Sequence, residues 1–162
     1  MALTVIATAL WLAAAQAPPD EAPFRRDLRR GMNMVIRASR EQFKPMRGAR
    51  IDIRPGRETW FQATRDLPMA TSCRVYEHPQ KYTCIWERSP VRRDLAAFFR
   101  TLTVEVEAVL GDSWERSGGA AGQVRFREKD EGTGVLLARE AGAVRLTVTP
   151  GVRPRPAVEP QP

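Results

Sequence analysis

Between residues 24 and 46 the apolar side chains Phe24, Leu28, Met32, Val35, Ile36, Phe43 and Met46 recur at helical spacing, with Ser39 as a polar interruption. The spacing predicts a first helix, weakened slightly by Gly31 and closed by Pro45 and Gly48. A second helix is sharper in outline. Ser89 suits its N-cap, Pro90 its first turn and Gly111 its left-handed end, and Val91, Leu95, Phe98, Phe99, Leu102, Val106, Val109 and Leu110 form its buried face.

Elsewhere the period changes to two. Alternating stretches cover Thr59 to Thr64, Gln123 to Glu128, Val135 to Arg139 and Ala143 to Thr149, and a hairpin spans Cys73 to Cys84. A short leading hairpin through Ile51 and Ile53, turning at Pro55-Gly56, is expected to join the first group. Sliding the chain by 63 residues lays the first helix face on the second, with Gly48 on Gly111. A slide of 62 lays Cys73, Val75, Tyr82, Cys84 and Trp86 on Val135, Leu137, Val144, Leu146 and Val148. The expected fold class is therefore α+β: two tandem α-β-β-β units, residues 24–88 and 89–149, building an antiparallel sheet or sheets with both helices packed on one side.

The ends of the chain bound this domain. Ala2 to Ala15 form an uncharged apolar run, and Ala15-Gln16-Ala17 is a small-residue cleavage pattern, so residues 1–17 read as a secretory signal peptide. That places the protein outside the cytoplasm, periplasmic or secreted, with a single domain over 18–149. Residues 150–162 hold five prolines in 13 positions and read as a disordered, solvated tail.

Charge changes the picture at one place. The chain carries a net +7, and residues 22–50, with nine basic and two acidic side chains, account for all of it. On a helix Arg26, Arg30, Arg37, Arg40 and Lys44 fall within about 80° of one another. They make a cationic ridge roughly 27 Å long at 1.5 Å per residue. Arginine gives bidentate contacts to phosphate and carboxylate, so an anionic envelope polymer or membrane surface is the first expected partner. A plain solvated face, arginine-rich by composition, is the competing reading. Export removes nucleic acid from reach, and no nucleic-acid-binding module accompanies the ridge.

Chemistry is sparse. Both cysteines and the sole histidine lie in "CRVYEHPQKYTC". Folding this segment between His78 and Pro79 sets Cys73 opposite Cys84 in a row with Val75, Tyr82 and Trp86, at a non-hydrogen-bonded position where Cα atoms lie about 4.5 Å apart. A structural disulfide follows. Two thiols and a histidine at the hairpin tip are too few for a metal site, and no cofactor motif occurs. No nucleophile motif appears, and Glu105 and Glu107, two apart on a helix, diverge. A non-enzymatic binding or adaptor domain is expected, with a hydrolase of unidentified carboxylates as the lesser alternative. A second candidate surface is the outer sheet face, where Trp60 and Tyr76 fall out of phase with the core and suit a protein partner.

Overall fold

A computed structural model describes residues 21–51 and 58–151. The expected signal segment, the turn at Pro55-Gly56 with Ile53, and the tail beyond Gly151 lie outside the described residues. The first helix, α1, runs Glu21–Ser39 and buries Leu28, Met32, Val35 and Ala38. It ends seven residues before the exit that Pro45 and the apolar spacing predict. The chain leaves it through two successive left-handed residues, Gln42 (φ 57°) and Phe43 (φ 58°), with the Phe43 amide donating back to the Ala38 carbonyl at 2.7 Å. Phe43 and Met46 reach the core from this turn rather than from the helix. Ser39, buried, donates its hydroxyl to the Ile36 carbonyl at 2.7 Å, which satisfies it within the helix.

The second helix, α2, runs Leu95–Leu110. Its cap is Asp94, not Ser89: the carboxylate accepts the amides of Ala96 and Ala97, each at 2.9 Å. Ser89 and Pro90 belong instead to a tight turn closed by a bridge between Ser89 and Arg92, which leaves Val91 85% exposed instead of buried. Arg92 is buried there. Its guanidinium donates to the carbonyls of Glu87 and Met69 and lies over the Phe98 ring at 5.1 Å, tying the approach to α2 onto the sheet. At the far end Gly111 takes φ 67° with ψ −163°, a positive-φ conformation that favours glycine but not the left-handed helical one expected of it.

Four strands follow each helix, not three. After α1 come β1 (Arg47–Ile51), β2 (Trp60–Ala63), β3 (Ser72–Tyr76) and β4 (Lys81–Glu87); after α2 come β5 (Trp114–Gly118), β6 (Gln123–Glu128), β7 (Gly134–Arg139) and β8 (Ala143–Thr149). All eight join one antiparallel sheet in the order β1-β2-β3-β4-β8-β7-β6-β5. The α+β class is thus as the hydrophobic pattern indicates. Two helices lie on one side of a single sheet, touching each other and the central strands β7 and β8.

The centre of the sheet is the pairing of β4 with β8, which sets Tyr82 opposite Val148, Cys84 opposite Leu146 and Trp86 opposite Val144. All six are fully buried under the helices. Here the 62-residue offset holds: Tyr82 and Trp86 exchange partners about the Cys84–Leu146 pair as a twofold axis requires. One strand further out it lapses. Cys73 faces Cys84, whereas its counterpart Val135 faces Val148 and not Leu146. The 63-residue overlay lapses too, since Gly111 ends a helix and Gly48 lies inside β1. The correspondence of the halves is therefore confined to the central strands β4 and β8, and two tandem units are not confirmed.

Candidate binding surfaces

The cysteine hairpin is the first site the sequence singles out. Tyr76 pairs with Lys81 and Cys73 with Cys84, and the two cysteines are disulfide-bonded with Cα atoms 4.1 Å apart. A link of this loop length contributes about 3 kcal/mol in the chain-entropy account. The bond is built into the core. The Leu67 amide points at Cys73 Sγ at 3.4 Å, and the buried Tyr82 hydroxyl donates to the Arg65 carbonyl at 3.1 Å. Burial first, and then the nearby Asp66 charge, push the Tyr82 phenol well above its ordinary range. These contacts fasten the β2–β3 loop over the disulfide. His78 is exposed at the hairpin tip. Among the described residues no group of three or more His, Cys, Asp or Glu side chains is arranged to hold a metal ion.

The ridge residues fare unequally. Arg26, Arg30 and Arg37 are on α1 and exposed, but Arg40 and Lys44 come after its end. Arg40 turns to the β6–β7 hairpin, where it meets Glu131 at 2.7 Å and Glu128 at 3.6 Å. Arg26 lies 3.5 Å from its neighbour Asp27. The straight ridge is therefore shorter than helical spacing through Lys44 implies. Arg30 and Arg37, without a carboxylate partner among the described residues, instead face a groove whose other wall is the β2–β3 loop with Arg65. Sequence spacing singled out Arg30 and Arg37. Arg65 was not visible that way, because the disulfide-anchored loop, and no local pattern, brings it across.

Trp60 and Tyr76 are on the outer sheet face, half-exposed and directly paired between β2 and β3. Each ring carries a cation: the Arg74 guanidinium lies 4.2 Å from the Trp60 centroid and Lys81 Nζ 4.4 Å from that of Tyr76. Such contacts hold long basic side chains flat at about 0.5–1 kcal/mol each when exposed. Alternation along the strands puts Arg74, Lys81, Arg125, Arg127 and Arg145 on this face with Glu87 and Glu115, while Glu58 pairs with Lys81 at 3.5 Å and Glu140 with Arg145 at 3.0 Å. A shallow recess of about 240 Å³ runs over the Thr83 and Thr147 hydroxyls, which touch at 3.4 Å, toward Leu136 and Ala138. Both helices lie on the opposite side, so no described element covers the face.

The two helical carboxylates considered for hydrolysis are engaged separately. Glu105, nearly buried, meets Arg25 at 2.6 Å between the helices, and Glu107 meets Arg116 at 2.7 Å. No protein-family model, curated protein or solved structure matches this chain.

Proposed function

We propose that this is an exported, non-enzymatic binding domain that holds an acidic protein partner on the helix-free face of its sheet. The observation that supports this reading is the pair Trp60 and Tyr76, adjacent on an uncovered face, each with a stacked cation. Aromatic and arginine side chains supply most of the affinity at protein interfaces. Three outward arginines, Arg74, Arg125 and Arg127, form no ion pair among the described residues, which favours an acidic partner and disfavours a second copy of the same face. The ring faces are already occupied by Arg74 and Lys81, which leaves little room for stacked nucleobases. The disulfide is compatible with an oxidising compartment, and among the described residues no helix is long and apolar enough to cross a membrane.

The test is affinity capture from envelope extracts of the source cells on the immobilised chain, comparing wild type, Trp60→Ala with Tyr76→Ala, and Arg26→Gln with Arg37→Gln. The expected result is an acidic protein that is eluted by salt, lost from the first variant and retained by the second. Equal capture by wild type and the aromatic variant, or retention of nucleic acid in place of protein, would sink the proposal. N-terminal sequencing of the secreted chain checks the export component, with Pro18 expected as the first residue.

A further inference from the structure

On the helix side of the sheet the groove between α1 and the β2–β3 loop is a second, independent surface. It consists of two recesses, of about 370 and about 500 Å³, each within the roughly 300–1,000 Å³ usual for ligand sites. The recesses meet at Arg30, Met34, Met46 and Arg65, the residues that line both. Arg30 comes from α1 and Arg65 from the loop, so the junction is lined by two arginines from different elements together with Met34 and Met46. Apolar surface continues to either side, through Leu67 and Pro68 in one direction and Ala38 and Pro45 in the other.

The charges on the groove do not cancel. Arg30, Arg65 and, further along, Arg37 have no carboxylate partner among the described residues. Of the acids on its walls, Asp27 lies against Arg26, which leaves Asp66, whose carboxylate accepts the Cys73 backbone amide, and Glu41 against the three arginines. A Cβ added at Gly31 would lie 2.7 Å from Leu67 Cδ2, so this glycine, costly inside a helix, is what lets the loop sit close against α1.

We propose that this groove docks an extended peptide segment of a protein partner, with one carboxylate gripped between Arg30 and Arg65 and an apolar side chain in the recess on each side. Paired cations between two apolar hollows call for a ligand with its charge in the middle. A single-chain lipid carries its charge at one end and leaves one hollow empty. A free phosphate uses neither. Arginine suits the carboxylate because its planar fork gives two parallel hydrogen bonds, and methionines adapt to differing apolar side chains.

The experiment is selection of a displayed random heptapeptide library on the full chain, followed by affinity measurement with synthetic copies of enriched peptides. Enriched sequences are expected to carry Asp or Glu between two apolar residues. Arg30→Gln with Arg65→Gln is expected to weaken them by at least about tenfold, equivalent to the factor lost when one ionic hydrogen bond goes, with an unchanged circular dichroism spectrum. Met34→Glu, which puts a negative charge at the junction, is expected to abolish binding and guards against a fold defect at the arginines. Trp60→Ala with Tyr76→Ala leaves the peptide affinity unchanged, so this site and the sheet face succeed or fail separately. The proposal is overturned if no peptide is enriched, if the central acid is absent from those that are, or if the arginine variant binds them equally. Saturable, arginine-dependent binding of lauric acid without any enriched peptide would likewise overturn it in favour of a lipid site.

Discussion

Asp94 and Asp66 are driven in opposite directions by their surroundings. The backbone amide of Ala97, then that of Ala96 and the charges of Arg100 and Arg139, hold the Asp94 carboxyl below 3.8 against a smaller desolvation effect. Its folded-state value is depressed, so its contribution to stability is present above pH 3.8 and is lost as pH falls through that lower value. Asp66 is raised above 3.8 because partial burial outweighs its bond from the Cys73 amide. Its contribution is present below pH 3.8 and is lost as pH rises through the folded-state value, so ionised Asp66 is a liability at neutral pH. Urea titrations of Asp94→Ala and Asp66→Asn check both signs. Asp94→Ala is expected to lower the midpoint at pH 7, with the deficit shrinking below pH 3.8, and Asp66→Asn to raise it at pH 7 and leave it unchanged at pH 3. Neither role was legible in the sequence: Ser89-Pro90 has the stronger local resemblance to a helix start, and tertiary contact through Arg92 overrides it. The disulfide was legible, since the hairpin's mirror arrangement about His78-Pro79 fixes which side chains oppose each other.

At the level of elements, the errors of sequence reasoning occur where an irregular backbone replaces a regular period. Phe43 and Met46 keep helical spacing although α1 has already ended at Ser39, because a left-handed turn happens to return both to the core. The turn uses Gln42 and Phe43 in place of the glycine that usually marks a helix end. A non-glycine residue in that conformation costs roughly 1–2 kcal/mol. Gln42 is exposed, so Gln42→Gly is expected to stabilise the protein by about 0.5–1 kcal/mol, read as a higher melting temperature. A fall in melting temperature would mean that the Gln42 side chain contributes something the backbone argument omits. The missed strand β5 is the converse case. WERSG buries only part of Trp114 at a sheet edge, and a strand that needs no alternation leaves none to read. Strands β6 and β8, which bury one face, match their sequence boundaries residue for residue.

For the whole molecule the decisive contact is the central pairing of β4 with β8, the last strand of each helix-and-strands series. It joins the two halves by backbone hydrogen bonds and by the packed row from Tyr82 to Val148, and both helices lie over it. Expressed separately, residues 21–93 and 94–151 are each expected to lack a cooperative thermal transition and to regain one when mixed, as followed by circular dichroism. A cooperative transition in either fragment alone would show that the central pairing is dispensable. This arrangement also fixes an order of events. β4 emerges from the ribosome well before β8, so one edge of the described strand with the most buried positions waits for Ala143–Thr149 before it can close. Until then the same edge on a neighbouring nascent chain is an equally good partner. Misassembly during synthesis should therefore depend on how many unfinished chains are crowded together, more than on the stability of the finished one.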